Sequence, residues 1–186
     1  MSDGILVLTA LDSELDVARA PQGFRVVFTG VGKINTTIAT LQAIAADKPK
    51  LIVNYGTAGK LNTTLNGLVE ISDVIQRDMN AEPLAPRGTT PYSPELDRLT
   101  SGQSGFICGT GDSFVTATDP WLVANKVDVV DMELFAIAQV ALRNTIPWRA
   151  FKFITDDAND FAHEHWTANV ANGQDLFWDA MKSVRV

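Results

Sequence analysis

Three carboxylates stand at the ends of separate apolar segments. Glu14 follows Ile5-Leu6-Val7-Leu8, Glu133 follows Val127-Asp128-Val129-Val130, and Asp156 follows Phe151-Lys152-Phe153-Ile154. Apolar runs of this length read as buried strands, and an acid delivered to the carboxyl edge of each would assemble an active site along one rim of a sheet. Three acids in one cleft can act as proton donor, proton acceptor and ligand anchor, because unequal burial and neighbours separate their pKa values. Acids are also favoured in first helical turns by the helix dipole, so a structural use of Glu14 and Glu133 stands beside the chemical one.

The elements that must position these acids follow from the hydrophobic pattern. Residues 5–9 and 25–29 predict strands, 34–46 a helix and 50–54 a buried strand. Residues 69–76 and 105–108 continue the strands, followed by 127–130, a helix from about 132 to 143 and a strand over 149–154. A C-terminal helix is expected over about 161–182, carrying Trp166, Val170, Leu176, Phe177 and Met181, with Gly173 as its weak point. The alternation predicts a single-domain three-layer α/β/α fold over residues 1–186, with a central mixed, largely parallel sheet. Residues 80–105 are rich in Pro, Gly, Ser and Thr and lack periodicity. They read as a surface excursion that borders the active site or forms an oligomer contact.

Composition narrows the partner. A chain of 186 residues suffices for one well-buried core. A net charge of −7 argues against a nucleic-acid surface, which needs many Lys and Arg on one face, and favours a small organic ligand. Cys108 is the single cysteine, so no intrachain disulfide forms and a buried, reduced thiol is expected. Met1-Ser2-Asp3-Gly4 lacks a basic leader region and the apolar run after it is too short to cross a bilayer, so no membrane is implied and a cytoplasmic location is expected.

Three motifs fail on their own chemistry. Gly30-Val31-Gly32-Lys33-Ile34-Asn35 opens like a dinucleotide fingerprint, but Asn35 stands where the third glycine belongs. In Gly56-Thr57-Ala58-Gly59-Lys60 the glycines are too close for a P-loop, and Leu61 replaces the magnesium-binding hydroxyl. His163 and His165, two apart, point to different sides of a helix, and no third ligand completes a metal set.

Taken in order, Gly30-Val31-Gly32-Lys33-Ile34-Asn35, Asn54-Tyr55-Gly56-Thr57-Ala58-Gly59, Gly111-Asp112-Ser113-Phe114-Val115, Val130-Asp131-Met132-Glu133 and Ile154-Thr155-Asp156 resemble the successive motifs of the nucleoside phosphorylase and nucleosidase superfamily. The branch most similar is that of the 5′-methylthioadenosine/S-adenosylhomocysteine nucleosidases, and the match runs from Ala10 to Asp160.

The resemblance implies roles. Cleavage of a purine N-glycosidic bond passes through an oxocarbenium-like sugar, so the departing base must be neutralised and the sugar cation supported. Asp156 occupies the family position of the acid at purine N7, kept protonated by burial or by an anion such as Asp157. Glu133 matches the acid that holds the ribose hydroxyls near the developing cation, with Met132 under the sugar. Glu14 matches the acid that binds and deprotonates water, with Asp12 and Asp16 as neighbouring competitors. Thr57 and the amide of Gly59 would lie beside the water or sugar, and Lys152 stands where an arginine is expected near the nucleophile. Phe114 would stack on the base, or serve as plain core, while the main chain of Val115 would read the purine edge. Leu11 would suit an apolar 5′ substituent.

Asn54 fills a strand position where a phosphorylase carries a phosphate-binding arginine, and Asp12 and Glu14 would repel phosphate while suiting activation of water. The expected function is therefore a purine nucleosidase that releases adenine from a 5′-modified adenosine. A phosphate-dependent phosphorylase and a nucleoside-binding homologue without turnover are the alternatives. The family implies a homodimer, and its chemistry requires no metal or organic cofactor.

Overall fold

The structure, a computed structural model, describes residues 4–117, 119–156 and 172–184, and of Asp156 the backbone alone. The expected contributions of His163, His165, Asp157 and residues 161–171 lie outside the described residues.

In chain order the elements are β1 (Ile5–Thr9), a 3-10 turn (Val17–Arg19), β2 (Phe24–Phe28), α1 (Lys33–Ala46), β3 (Leu51–Lys60), β4 (Leu68–Gln76), β5 (Arg98–Thr100), β6 (Phe106–Thr110), α2 (Pro120–Ala124), β7 (Val129–Asp131), α3 (Leu134–Arg143), β8 (Trp148–Asp156) and α4 (Gln174–Met181). The sheet runs β2-β1-β3-β7-β6-β4-β5, and β8 pairs with both β3 and β4. It is mixed and largely parallel. β1 lies parallel to β2 and β3, β3 to β8, and β6 to β4 and β7, whereas β3–β7, β4–β5 and β4–β8 are antiparallel. Because β8 bridges β3 and β4, strands β3, β8, β4, β6 and β7 form a closed circuit of pairings.

The period-two alternation of strand side chains makes the layers. Leu6, Leu8 and Ile52 enter a core with Ala43 and Ile44 of α1 and Ile137, Ala138 and Ala141 of α3. Ile5, Val7, Val53 and Tyr55 enter a second core with Phe177, Trp178 and Met181 of α4. The Tyr55 and Phe177 ring centroids lie 4.4 Å apart. The described part of the C-terminal helix therefore covers the sheet face opposite α1 and α3.

Two strands run longer than the hydrophobic pattern indicates. β3 continues past Asn54 to Lys60 because glycines and a threonine, which carry little hydrophobic signal, remain extended. Gly56 lies where an added Cβ would sit 3.3 Å from Lys152 Nζ and 3.5 Å from Glu14 Oε1, so its bare backbone makes room for two charged groups. β8 reaches Asp156, and its register against β3 shifts so that Ala58 faces Ile154 while Gly59 faces Asp156. The extra residue at this bulge is Thr155. Residues 80–105 are irregular apart from β5 at their end.

Candidate active site

The carboxyl ends of β1, β4, β6, β7 and β8 and the far part of β3 open onto one cleft of about 280 Å³, close to the lower limit of ligand-pocket sizes. Leu11, Val31, Ala58, Phe114, Val115, Val130 and Met132 supply its apolar lining, and Glu14, Thr57, Arg77, Ser113, Asp131, Glu133 and Thr155 its polar groups. Gly59 also lines it, paired with Val130 in the β3–β7 ladder and facing Asp156 across the β8 bulge.

Glu14 is 3% exposed, and five donors converge on its carboxylate. Oε2 accepts from the Thr9 hydroxyl and the amides of Ala10 and Leu11, each at 3.0 Å. Oε1 accepts from the Thr57 amide and hydroxyl, each at 3.1 Å. Such a set fixes the position of the carboxylate. The competitors Asp12 and Asp16 are exposed, and Asp16 accepts from the amide of Ala18 to cap the 3-10 turn.

Glu133 precedes α3 and is 9% exposed, with Oε1 accepting from the Gly32 amide at 2.9 Å. Gly32 (φ 88°) occupies the left-handed region, which admits glycine readily and turns its N–H toward Glu133 at the start of α1. Burial first, and then the negative Asp131, push the Glu133 carboxyl up to about 7, opposed by Lys152 and by the Gly32 bond.

Asp131 was quoted within a sequence motif but given no role. It is fully buried, and its Oδ1 accepts from Thr110 Oγ1 at 2.5 Å and Cys108 Sγ at 3.4 Å. Its Oδ2 accepts from the Leu134 amide at 2.9 Å and pairs with Lys152 Nζ at 2.7 Å. Burial alone would raise its carboxyl, but Lys152, the Thr110 hydroxyl and the Leu134 amide outweigh burial and hold it below the ordinary value. Burial likewise lowers Lys152, and Asp131 reverses that, leaving the ammonium above the usual lysine value.

Lys152 stands behind the cleft wall, its Nζ sharing the gap at Gly56 with Glu14 Oε1. It is 1% exposed, does not line the cleft and spends its charge on Asp131, so it supports the acid-rich wall from behind. A lysine reaches this depth as a compact charge with one ion-pair partner, where an arginine fork would need acceptors on several sides.

Arg77, absent from the sequence-based candidates, lines the cleft at 5% exposure. Its Nε donates to Gly109 O (3.2 Å), Nη1 to Ser113 Oγ (3.2 Å), and Nη2 to Gly111 O (2.9 Å) and to Ser113 O. Burial lowers its pKa from the usual value, and Asp131 and Asp78 oppose that. The signal that could have found it is the one that found the acids, a charge directly after an apolar strand. Phe114 is 51% exposed at the cleft and Val115 is buried, so Phe114 is not core. The 80–105 excursion supplies no lining residue. It braces the site, since Arg87 Nε donates to Arg77 O at 2.8 Å while its guanidinium pairs with Asp119 at 2.6 Å and lies over Trp121.

A sequence model of the family described as the phosphorylase superfamily matches residues 24–182. A 5′-methylthioadenosine/S-adenosylhomocysteine nucleosidase from Staphylococcus aureus strain MRSA252 is 29% identical over 163 residues, covering 75% of this chain and 71% of that protein. Its counterpart from the bovine strain RF122 / ET3-1 is 30% identical over 154 residues, covering 70% and 67%. Among solved structures, the chain is similar to a Helicobacter pylori MTAN-D198N mutant with 5′-methylthioadenosine in the active site (TM-score 0.85, 20% identity, 98% of each chain). It is equally similar to the futalosine hydrolase of Helicobacter pylori strain 26695 (TM-score 0.85, 20% identity, 96% and 95% of the chains).

Proposed function

The chain belongs to the phosphorylase superfamily, and from that premise we propose that it is a purine nucleosidase, an N-glycosyl hydrolase acting on a 5′-modified adenosine such as 5′-methylthioadenosine or S-adenosylhomocysteine. The observation that carries this reading is the meeting of Glu14, Thr57, Met132 and Glu133 with Phe114 and Val115 in one cleft. Residues 1–186 are taken as one domain.

Glu14, fixed by five donors, holds the attacking water and receives its proton. Glu133 uses the oxygen not bonded to Gly32 to accept from the ribose hydroxyls, a contact that strengthens as the sugar becomes cationic. Met132 packs under the ribose and Leu11 faces an apolar 5′ group. Phe114 stacks on the base, the Val115 main chain reads its edge, and Asp156 protonates it. Thr57 and Gly59 complete the sugar and water contacts. Lys152 keeps Asp131 compensated behind Glu133.

A homodimer also belongs to this reading. Val31, Ile34, Ile38 and Leu41 recur at helical spacing along one exposed stripe that starts at the cleft and continues on α1. Such a stripe suits a second copy. Light scattering after size exclusion is expected to give a dimer for the wild-type protein and a monomer for Ile34→Glu.

The function is tested by incubation with 5′-methylthioadenosine with and without phosphate, following adenine and the sugar product by chromatography. Adenine with free methylthioribose in both conditions supports the nucleosidase. A sugar 1-phosphate formed only with phosphate makes the chain a phosphorylase. If no adenine appears, this substrate is eliminated, and a panel of other purine nucleosides that includes futalosine decides between a different substrate and binding without turnover.

A further inference from the structure

A buried guanidinium is costly to desolvate and is ordinarily paired with a carboxylate. Every acceptor of Arg77 is a neutral oxygen, on Gly109, Gly111 and Ser113. The two acids nearest in its electrostatic surroundings are committed elsewhere. Asp78 accepts from Lys33 Nζ at 2.6 Å and from the Asp112 amide at 2.9 Å, while Asp131 pairs with Lys152. Four acceptors occupy four of the five N–H groups, so one N–H on Nη1 has no acceptor among the described residues. An unpaired positive charge with a spare donor therefore lines the cleft beside the loop that carries Phe114 and Val115.

Resting on the nucleosidase reading, we propose that Arg77 stabilises the departing base. In hydrolysis the C1′–N9 bond breaks with its electron pair going to the purine, the oxygen of water bonds to C1′, the proton of that water passes to Glu14, and the base takes a proton from Asp156. Negative charge grows on the purine before that proton has fully arrived. A preorganised cation in a water-poor wall acts most strongly on charge that develops in the transition state. The fork on Gly109, Gly111 and Ser113 holds the cation still and sets the loop against the base.

The test is the dependence of kcat on leaving-group acidity. The 5′-methylthioribosides of adenine, purine and 6-chloropurine, whose bases are increasingly acidic, are compared in wild type, Arg77→Gln and Arg77→Lys. Arg77→Gln is expected to lose about 10²-fold in kcat with adenine, and the loss is expected to shrink steadily toward 6-chloropurine. Arg77→Lys, which keeps the charge but not the fork, is expected to retain kcat within about tenfold with the wild-type leaving-group dependence and a raised KM. Equal losses on all three bases, or a change in KM alone, would overturn the assignment. If Arg77→Gln does not fold, Arg77→Lys decides, because a uniform loss of about 10²-fold in its kcat contradicts a role for charge. A wild-type protein that releases no base from any nucleoside removes the nucleosidase reading and this assignment with it. An active wild type with uniform losses removes only the role of Arg77.

Discussion

The acid cluster and the arginine of the cleft satisfy buried charge in opposite ways. In the first, Glu14, Asp131 and Glu133 line the cleft, with Lys152 as a fully buried counterion of Asp131. In the second, Arg77 donates four N–H groups to main-chain carbonyls and a hydroxyl and bonds no carboxylate, with Asp131 as its foremost charged neighbour. In the proposed reaction the acid cluster suits a sugar that becomes positive, and the arginine suits a base that becomes negative.

The largest expected effect removes the proposed proton supply to the base. Asp156→Asn should lower kcat by about 10³-fold and leave KM within about threefold. Steady-state kinetics that show unchanged kcat would remove Asp156 from the acid role.

In the acid cluster the prominent effect is on stability. Lys152→Met leaves Asp131 buried without its counterion and should cost about 3–5 kcal/mol in denaturant unfolding. The double variant Lys152→Met with Asp131→Asn should recover a large part of that loss, and failure of the recovery would show that the pair is not the source.

A pH profile sharpens the contrast next. The Glu133 carboxyl, raised to about 7 by burial and Asp131, binds its proton more tightly folded than unfolded. Its contribution to stability is therefore full below the unfolded value and is lost as pH rises toward 7. Binding of the sugar hydroxyls needs the ionised form, so kcat/KM should rise through the same window. Asp131→Asn removes the negative neighbour and should move the rise to lower pH, which initial rates across pH would reveal. A move upward would contradict the electrostatic account.

The smallest effect belongs to the loop that holds Arg77. Ser113→Ala deletes one of four acceptors of Arg77 and should raise KM about threefold with kcat little changed. A large fall in kcat would mean that the Ser113 hydroxyl does more than hold the arginine.

Strand positions were legible wherever the core pattern was clean. The expected 5–9 coincides with β1, and 69–76 differs from β4 by one residue. β5 and α2 were missed because three and five residues give no readable period. The β4–β8 and β3–β7 pairings that close the circuit were out of reach, since they depend on long-range register rather than on local pattern. The acids of the cleft were visible because each follows an apolar run. Asp131 lay inside a quoted motif, yet its burial and its bond to Lys152 exist only in three dimensions. Arg77 was passed over because it opens a stretch whose composition reads as loop, and the carbonyls that hold it come from more than thirty residues later.

The closed circuit of strands also governs the order in which the chain can mature. β3, ten residues long, gains its parallel neighbour β8 only after the chain has extended to Trp148–Asp156. Until then a long, mostly apolar strand edge stays open, and unpaired edges of this kind are where partly folded chains associate wrongly. Arrival of β8 seals that edge, brings Lys152 to Asp131 and carries Thr155 to the cleft in one step. Closure of the exposed strand edge and assembly of the cleft therefore depend on the same strand.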